Sequence, residues 1–130
     1  MIYYQSDKVE LHCGSVEDVL PSIESKWVDL VIADPPAFIK AKKDIPTGSH
    51  AYMKLNSQGF RLAKSKGLVV SCSCSGLFNE EDFKESLRKS ISRNQRRAQC
   101  VLRGGHAADH PNTMQFPEGF YLKMFAHYLE

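Results

Sequence analysis

The sequence predicts an α/β fold with a mainly parallel sheet, and three observations carry that prediction. Helical and strand-like segments alternate along the 130 residues. The segment Val28 to Ala33 is almost wholly apolar, as is typical of a central strand covered on both faces. It stops at Asp34-Pro35-Pro36, where neither proline can continue a sheet. This length suits one hydrophobic core, so residues 1–130 are expected to form a single domain.

The first half of the chain contains four further elements by pattern. A short strand is predicted over 9–13, and a helix follows through Val16, Val19, Leu20 and Ile23. Residues 40–50 are polar and contain Pro46 and Gly48, which indicates a loop. The next helix should run from about Ala51 to Lys64, and it would place on one face Tyr52, Leu55, Gly59 and Leu62.

The second half continues the alternation. Leu68 to Cys72 is a second buried strand, and Asn79 followed by three acidic residues is typical of a helix start. Phe83, Leu87 and Ile91 continue that helix at four-residue spacing. The remaining segments are a strand over 98–102, an irregular loop over 104–119 and a last strand over 120–128.

Composition and charge limit the classes of function. The chain is 42% hydrophobic and 25% charged, as in an ordinary globular protein. No apolar run approaches the roughly 20 residues that span a bilayer, and no signal peptide is evident, so we expect a cytoplasmic protein. The net charge of +2 says little about partners. Six basic residues do cluster, either as the solvated face of a helix or as a nucleic-acid patch: Arg88, Lys89, Arg93, Arg96, Arg97 and Arg103.

The four cysteines predict neither disulfides nor a metal site. A cytosolic chain of this size is not a disulfide framework. Cys72 and Cys74 lack the two-residue gap of a zinc pair, and no second pair of ligands follows at metal spacing. Two alternatives remain for these cysteines, namely a buried unreactive side chain or a reactive thiol with a catalytic role.

Two strand ends carry unusual chemistry. One is Asp34-Pro35-Pro36, and the other is the segment 71–76, Ser-Cys-Ser-Cys-Ser-Gly. One crossover helix separates the strands, so right-handed geometry makes them neighbours. Ligands of α/β sheets bind beyond the carboxyl ends of the strands, and both ends should therefore open into one cleft. Spacing alone does not choose between Cys72 and Cys74 as the reactive thiol.

From Val28 to Leu129 the chain resembles the class I, S-adenosylmethionine-dependent 23S ribosomal RNA cytosine-5 methyltransferases. The matching blocks, in order, are VDLVIADPPAF, AYMKLN, KGLVVSCSCSGL, AADHP and FPEGFYLKMFAHYL. The resemblance implies a partial Rossmann-like sheet, mostly parallel, with an antiparallel C-terminal strand. It also implies S-adenosylmethionine as cofactor and ribosomal RNA as partner.

The same resemblance assigns roles to residues. It selects Cys74, before Ser-Gly, as the nucleophile and Asp34 as the carboxylate that contacts the base. Asp34, Pro35 and Pro36 would line the pocket of the methyl donor and the base, and Ser15 stands where an aspartate usually lies near the adenine. Three side chains are expected near the substrate, with core packing or loop structure as the alternative for each: Phe38, Tyr52 and His110.

The chain departs from the family at its start. No Gly-x-Gly-x-Gly turn occurs before residue 28, and the acidic residue for the ribose is missing. We therefore expect the C-terminal part of a methyltransferase, with weak or no cofactor binding by itself. The strand 28–33 would then be an exposed edge, covered by the first strand or by a second copy in a homodimer.

Two alternatives stay open. One is an amino-methyltransferase acting on DNA through Asp-Pro-Pro-Tyr, although position 37 is alanine and no glycine-rich turn follows. The other is a non-catalytic remnant that serves RNA binding or dimerisation.

Overall fold

A computed structural model describes residues 9–130. Four strands form one sheet: β1 (Val28–Ala33), β2 (Ala63–Ser73), β3 (Ala98–Gly104) and β4 (Lys123–Leu129). Their order across the sheet is β1-β2-β4-β3. β1 and β2 pair in parallel, and β4 lies antiparallel between β2 and β3. Three strands therefore run in one direction and only the C-terminal strand opposes them, which confirms the predicted sheet.

Three helices accompany the sheet within these residues: α1 (Val16–Val19), α2 (Ile45–Leu62) and α3 (Glu80–Arg93). A 3-10 turn, Leu20–Ser22, continues α1, and two more lie at Lys42–Asp44 and Pro117–Gly119. α2 and α3 pack against each other on one face of the sheet. The core between them and the strands contains Tyr52, Phe60, Val69, Phe78, Phe83, Leu87, Phe125 and Leu129.

Helix α2 begins at Ile45, so the prediction of a loop over 40–50 is wrong for its second half. Pro46 stands in the first turn of α2, where a missing N–H costs nothing and the fixed φ suits a helix. Gly48 is buried, and a Cβ there would come within 2.9 Å of the carbonyl oxygen of Phe38. Both residues indicated a loop by type, but one starts the helix and the other allows its close approach to the preceding segment.

Residues 9–13 form no strand, which corrects the prediction made for them. An isolated strand leaves its N–H and C=O groups unpaired, and no neighbour in the described sheet pairs with this segment. Regular structure begins after Ser15, whose hydroxyl accepts a hydrogen bond from the N–H of Glu17 at 3.2 Å. Residues 15–23, called the arm below, then fold against α2.

Within residues 9–130, strand β1 is an edge of the sheet, as expected from the lack of the family's first strands, although its apolar sequence is typical of a central strand. Val31 and Ala33 face the helices, whereas Leu30 is 50% exposed and Ile32 is 65% exposed. The side of the sheet opposite α2 and α3, called the open face below, continues this row. Its side chains are Leu30, Ile32, Leu68, Val70, Leu102, Ala126 and Tyr128.

Within residues 9–130, no helix combines the length and the apolar character needed to cross a membrane.

Candidate active site

The ends of β1 and β2 meet, as the crossover geometry predicted. The thiol of Cys74 lies 3.8 Å from the carbonyl oxygen of Pro35, within the longer reach of a sulfur donor. The N–H of Ile39 donates to the hydroxyl of Ser75 at 3.1 Å. Two bonds therefore join the Asp-Pro-Pro end to the turn formed by residues 74–78, called the Cys74 turn below.

Ser75 anchors that turn in the core. It is fully buried, and its hydroxyl also lies 2.9 Å from the phenol oxygen of Tyr52. Tyr52 is itself fully buried, with its ring 5.3 Å from and stacked on the ring of Phe78. A nucleotide base cannot reach a ring enclosed in this way, so the expectation that Tyr52 stacks on substrate gives way to its alternative, core packing.

Lys123 is a part of this site that sequence reasoning missed. Its Nζ donates to the carbonyl oxygen of Ser75 at 2.7 Å and to that of Phe78 at 2.6 Å. Burial lowers the pKa of this amine, which nonetheless lies among oxygens that favour its charged form. A single lysine inside the apolar run of the last strand was the available signal. The Cys74 turn is thus held from β4, from α2 and from the loop after β1.

Cys72 lies near the end of β2, two residues before Cys74. Burial raises the pKa of the Cys72 thiol to about 11, with smaller contributions from Asp34 and Cys74. A raised pKa lowers the fraction of reactive thiolate at Cys72. Burial therefore counts against Cys72 as the nucleophile, whereas the spacing of the residues did not distinguish the two cysteines.

A groove of about 670 Å³ runs beside the Asp-Pro-Pro end. Its walls are the arm, the helix α2 and the outer part of β1. The four residues predicted to contact cofactor all line it: Ser15, Asp34, Pro35 and Pro36. Asp34 is exposed, and Ser15 also caps the start of α1. The structure thus brings Ser15 into one groove with residues 19 to 21 positions later, while their roles remain a proposal. None of residues 71–76 lines this groove, so the expectation that both strand ends open into one cleft is not met there.

The other predicted substrate residues lie in different places. Phe38 is half-buried on the wall of the groove, with its ring 4.8 Å from the ring of Tyr52. His110 lies in the exposed loop after β3, where its Nδ1 is 3.5 Å from the carboxylate of Asp109. A different histidine is closer to the Cys74 turn: the ring of His106 packs edge-on against Tyr121 at 4.7 Å. Tyr121 in turn adjoins Gly76, where an added Cβ would lie 3.8 Å from that of the tyrosine.

The basic cluster lies mostly away from this site. Arg88 to Arg97 occupy the C-terminal end of α3 and the turn after it, whereas the Cys74 turn precedes the start of α3. The distance along the helix from its start is about 12 Å at Arg88 and about 20 Å at Arg93, at 1.5 Å per residue. Part of the cluster is structural, since Arg96 donates to the carbonyl oxygen of Ala63 at 2.9 Å and Arg103 pairs with Glu80 at 2.6 Å.

Solved structures share this arrangement of strands and helices. A Streptococcus mutans protein assigned as a SAM-dependent methyltransferase matches 88% of this chain and 29% of its own, with a TM-score of 0.68 and 21% identity. A structure assigned as a methyltransferase complexed with SAH matches equally well over 30% of its length. The chain has a methyltransferase fold. A Thermus thermophilus protein assigned as a DNA modification methylase follows, with a TM-score of 0.58 and 17% identity over 90% of this chain and 50% of its own.

Curated relatives match at higher identity. The ribosomal RNA large subunit methyltransferase I of Photobacterium profundum is 34% identical over 105 residues, which are 81% of this chain and 26% of the relative. The protein of the same name from Vibrio vulnificus is 38% identical over 98 residues, 75% of this chain and 25% of the relative. The chain thus spans about a quarter of the length of these relatives. No family model matches it.

Proposed function

We propose that this chain contributes the nucleophile and the base-binding wall of an S-adenosylmethionine-dependent methyltransferase acting on C5 of a cytosine in ribosomal RNA. The observation that carries the proposal is the contact between the Cys74 thiol and the Asp-Pro-Pro end, at 3.8 Å from the carbonyl oxygen of Pro35. It puts a thiol and an exposed carboxylate, Asp34, at one edge of a sheet of methyltransferase fold.

The chemistry requires a thiol at that place. C5 of cytosine is too weak a nucleophile to accept a methyl group directly. Addition of the Cys74 thiolate to C6 makes C5 electron-rich, and C5 then takes the methyl group. Loss of the C5 proton to a base re-forms the C5–C6 double bond and expels the thiolate, so that Cys74 is regenerated. Asp34 orients the base by accepting a hydrogen bond from its amino group.

The groove fits part of a cofactor. Its mainly apolar walls and the Asp-Pro-Pro backbone suit S-adenosylmethionine, and Ser15 adds a hydroxyl to the lining. When bound, this cofactor supplies the methyl group as a sulfonium. A glycine-rich turn that would cradle its other parts is not among residues 9–130, so the chain provides one wall of the site. We accordingly expect weak cofactor binding by the chain alone.

The proposed substrate follows from the names of the relatives, which are ribosomal RNA methyltransferases. A base must leave its stack to reach the thiol, so a loop or bulge of the RNA is the favoured target. Phe38, half-buried on the groove wall, is the aromatic residue that remains available to contact that base.

Tritium transfer from labelled S-adenosylmethionine to ribosomal RNA tests the proposal, with the cofactor in large excess because the chain alone is expected to bind it weakly. Cys74→Ala should reduce transfer to background, whereas Cys72→Ala, two positions away at the end of β2, should retain it. Equal loss in both variants, or none in Cys74→Ala, would refute the assignment of the nucleophile. The DNA methylase alternative, to which the Thermus thermophilus fold likeness belongs, predicts transfer to DNA instead.

Calorimetric titration with S-adenosylmethionine separates the remaining alternative. A chain that binds no cofactor and transfers no methyl group, yet retards ribosomal RNA in a gel, would be the non-catalytic RNA-binding remnant. Micromolar cofactor binding by the chain alone would contradict the proposal that this chain provides only one wall of the cofactor site.

A further inference from the structure

Three aromatic side chains are exposed in the loop after β3, and they are called the aromatic cluster below. Phe116 is 60% exposed, Phe120 is 57% exposed and Tyr121 is 39% exposed. A single exposed apolar residue is common on a protein surface and needs no explanation. Three aromatic rings within six positions instead form an apolar patch, which indicates an interaction surface.

The aromatic cluster lies at the edge of the sheet where the Cys74 turn lies. The loop leaves β3 at Gly104 and enters β4 at Lys123, whose strand partner is Ser73 at the end of β2. A Cβ added at Gly76 in the Cys74 turn would lie 3.8 Å from the Cβ of Tyr121. The aromatic cluster therefore begins directly beside the turn that carries the proposed nucleophile.

Hydrogen bonds and packing hold the rings of the aromatic cluster in place. The N–H of Phe120 donates to the carbonyl oxygen of Pro117 at 3.1 Å, and the turn between them buries Gly119. The ring of Tyr121 packs edge-on against the ring of His106, with 4.7 Å between the centroids. Because such groups are fixed in advance, they lose little conformational freedom when a partner binds. Their planar faces suit a planar partner.

The charged side chains near the aromatic cluster attract phosphate only weakly. Arg103 pairs with Glu80 at 2.6 Å, and Lys123 donates to two main-chain carbonyl oxygens. The loop itself contains two acidic residues, Asp109 and Glu118. A nucleic acid bound at this edge would therefore be held mainly through its bases, since attraction of the phosphates requires unpaired positive charge.

We propose that the aromatic cluster stacks the bases of the nucleotides next to the target cytosine, in a single-stranded segment of RNA. This inference rests on the function proposed above, because Cys74 defines where the target base lies. Single strands bind to aromatic side chains on which successive bases stack, and this binding tolerates many sequences. A duplex offers no such free base faces, so a loop or bulge of RNA is the ligand that fits.

Fluorescence anisotropy tests the proposal with the full 130-residue chain. The probe is a labelled single-stranded RNA of about ten pyrimidine nucleotides. Phe120→Leu keeps an apolar side chain but removes the ring, and it should weaken binding about tenfold. Phe120→Tyr keeps the ring and should bind as the native chain does. The matched control is Trp27→Leu, which should leave the affinity unchanged, because Trp27 is 64% exposed but precedes β1 at the opposite edge of the sheet.

The dependence of binding on salt separates stacking from attraction of the phosphates. Phe120→Leu should lower the affinity by the same factor at every salt concentration, whereas loss of a phosphate contact would reduce the slope of affinity against salt. A second measurement locates the RNA directly. With 5-bromouridine in the probe, irradiation should crosslink it to the tryptic peptide 104–123, which contains the whole aromatic cluster.

Several outcomes would overturn the inference. They are no binding by the native chain, equal binding by Phe120→Leu, equal binding of the same sequence as a duplex, or a crosslink found only outside residues 104–123. A dimer in light scattering that Phe120→Leu dissociates would also overturn it, because a second copy would then cover the rings.

The methyl-transfer assay keeps this inference apart from the proposed function. Cys74→Ala should bind the probe as the native chain does. Binding that depends on Phe120 without transfer that depends on Cys74 would refute the proposed function and support the stacking of bases. Transfer that depends on Cys74, with RNA affinity unchanged in Phe120→Leu, would refute the stacking alone.

Discussion

The two faces of the sheet are built from the same strands, yet they differ in burial. On the covered face, Val69 and Leu129 are fully buried against α2 and α3. One residue along each strand, Leu68 and Tyr128 point to the open face, and Leu68 is 37% exposed. Residue type does not explain this difference, because both faces are apolar. The difference is that helices α2 and α3 pack on one face only. The open face therefore has the apolar composition of a buried surface, although no helix of the described residues packs on it.

The largest expected effect is a difference in the free energy of unfolding between substitutions on the covered face and on the open face. Phe83 lies fully buried between α3 and the sheet, with its ring 5.9 Å from that of Phe125. Phe83→Ala should lower the free energy of unfolding by about 3–5 kcal/mol, because it removes an aromatic ring and leaves a cavity. Ile32→Ala on the open face should lower it by less than about 1 kcal/mol. Urea denaturation of both variants checks this, and comparable losses would mean that the open face is buried in solution.

A smaller effect concerns the end of the covered face, where Lys123 binds the Cys74 turn. Lys123→Met should lower the free energy of unfolding by about 2–3 kcal/mol, because the carbonyl groups of Ser75 and Phe78 lose a charged donor. The matched control is Lys64→Met, whose side chain is half-exposed and pairs, among residues 9–130, with the exposed Asp29. That pair should contribute at most about 1 kcal/mol. Thermal unfolding of the two variants measures the difference, and the prediction fails if Lys64→Met is the more harmful.

The smallest effect should appear as a dependence on pH. His127 lies on the covered face, and burial lowers the pKa of its imidazole below the usual value near 6.5. The unfolded chain therefore binds a proton at a higher pH than the folded chain does. Stability from the neutral imidazole is complete above about pH 6.5 and is lost as the pH falls through the lower, folded value. His127→Phe should flatten the dependence of unfolding on pH between 7 and 5, and an unchanged slope would show that other groups cause it.

Local patterns predicted most of the elements. The apolar strands around Val31 and Val69, and the helix capped by Asn79, have signals within a few residues of the element itself. Pro46 and Gly48 led to the wrong prediction of a loop, because the structural role of each depends on its neighbours. Pro46 stands in the first turn of a helix, and Gly48 lies against the backbone of Phe38.

Only part of the candidate site was predicted, because some of its contacts join residues that are far apart in the sequence. Crossover geometry correctly predicted that the Asp-Pro-Pro end and the Cys74 turn would meet. It did not predict the reach of Lys123, which depends on strand packing across 48 positions of sequence. Core packing of Tyr52, by contrast, was one of the two roles expected for it, and the structure shows it buried. The edge position of β1 was expected from the resemblance, because the family's first strands are missing, whereas its composition alone resembles that of a central strand.

The hydrogen bond from the Ile39 amide to the buried hydroxyl of Ser75 gives the site a natural reporter. One backbone proton records whether the two strand ends are together, because it is protected only while Ser75 is in place. In an NMR spectrum of the chain labelled with nitrogen-15, the exchange rate of this single amide would measure how often the Cys74 turn separates from the Asp-Pro-Pro end. Binding that draws the two ends together would be visible there as slower exchange, even with no methyl group transferred.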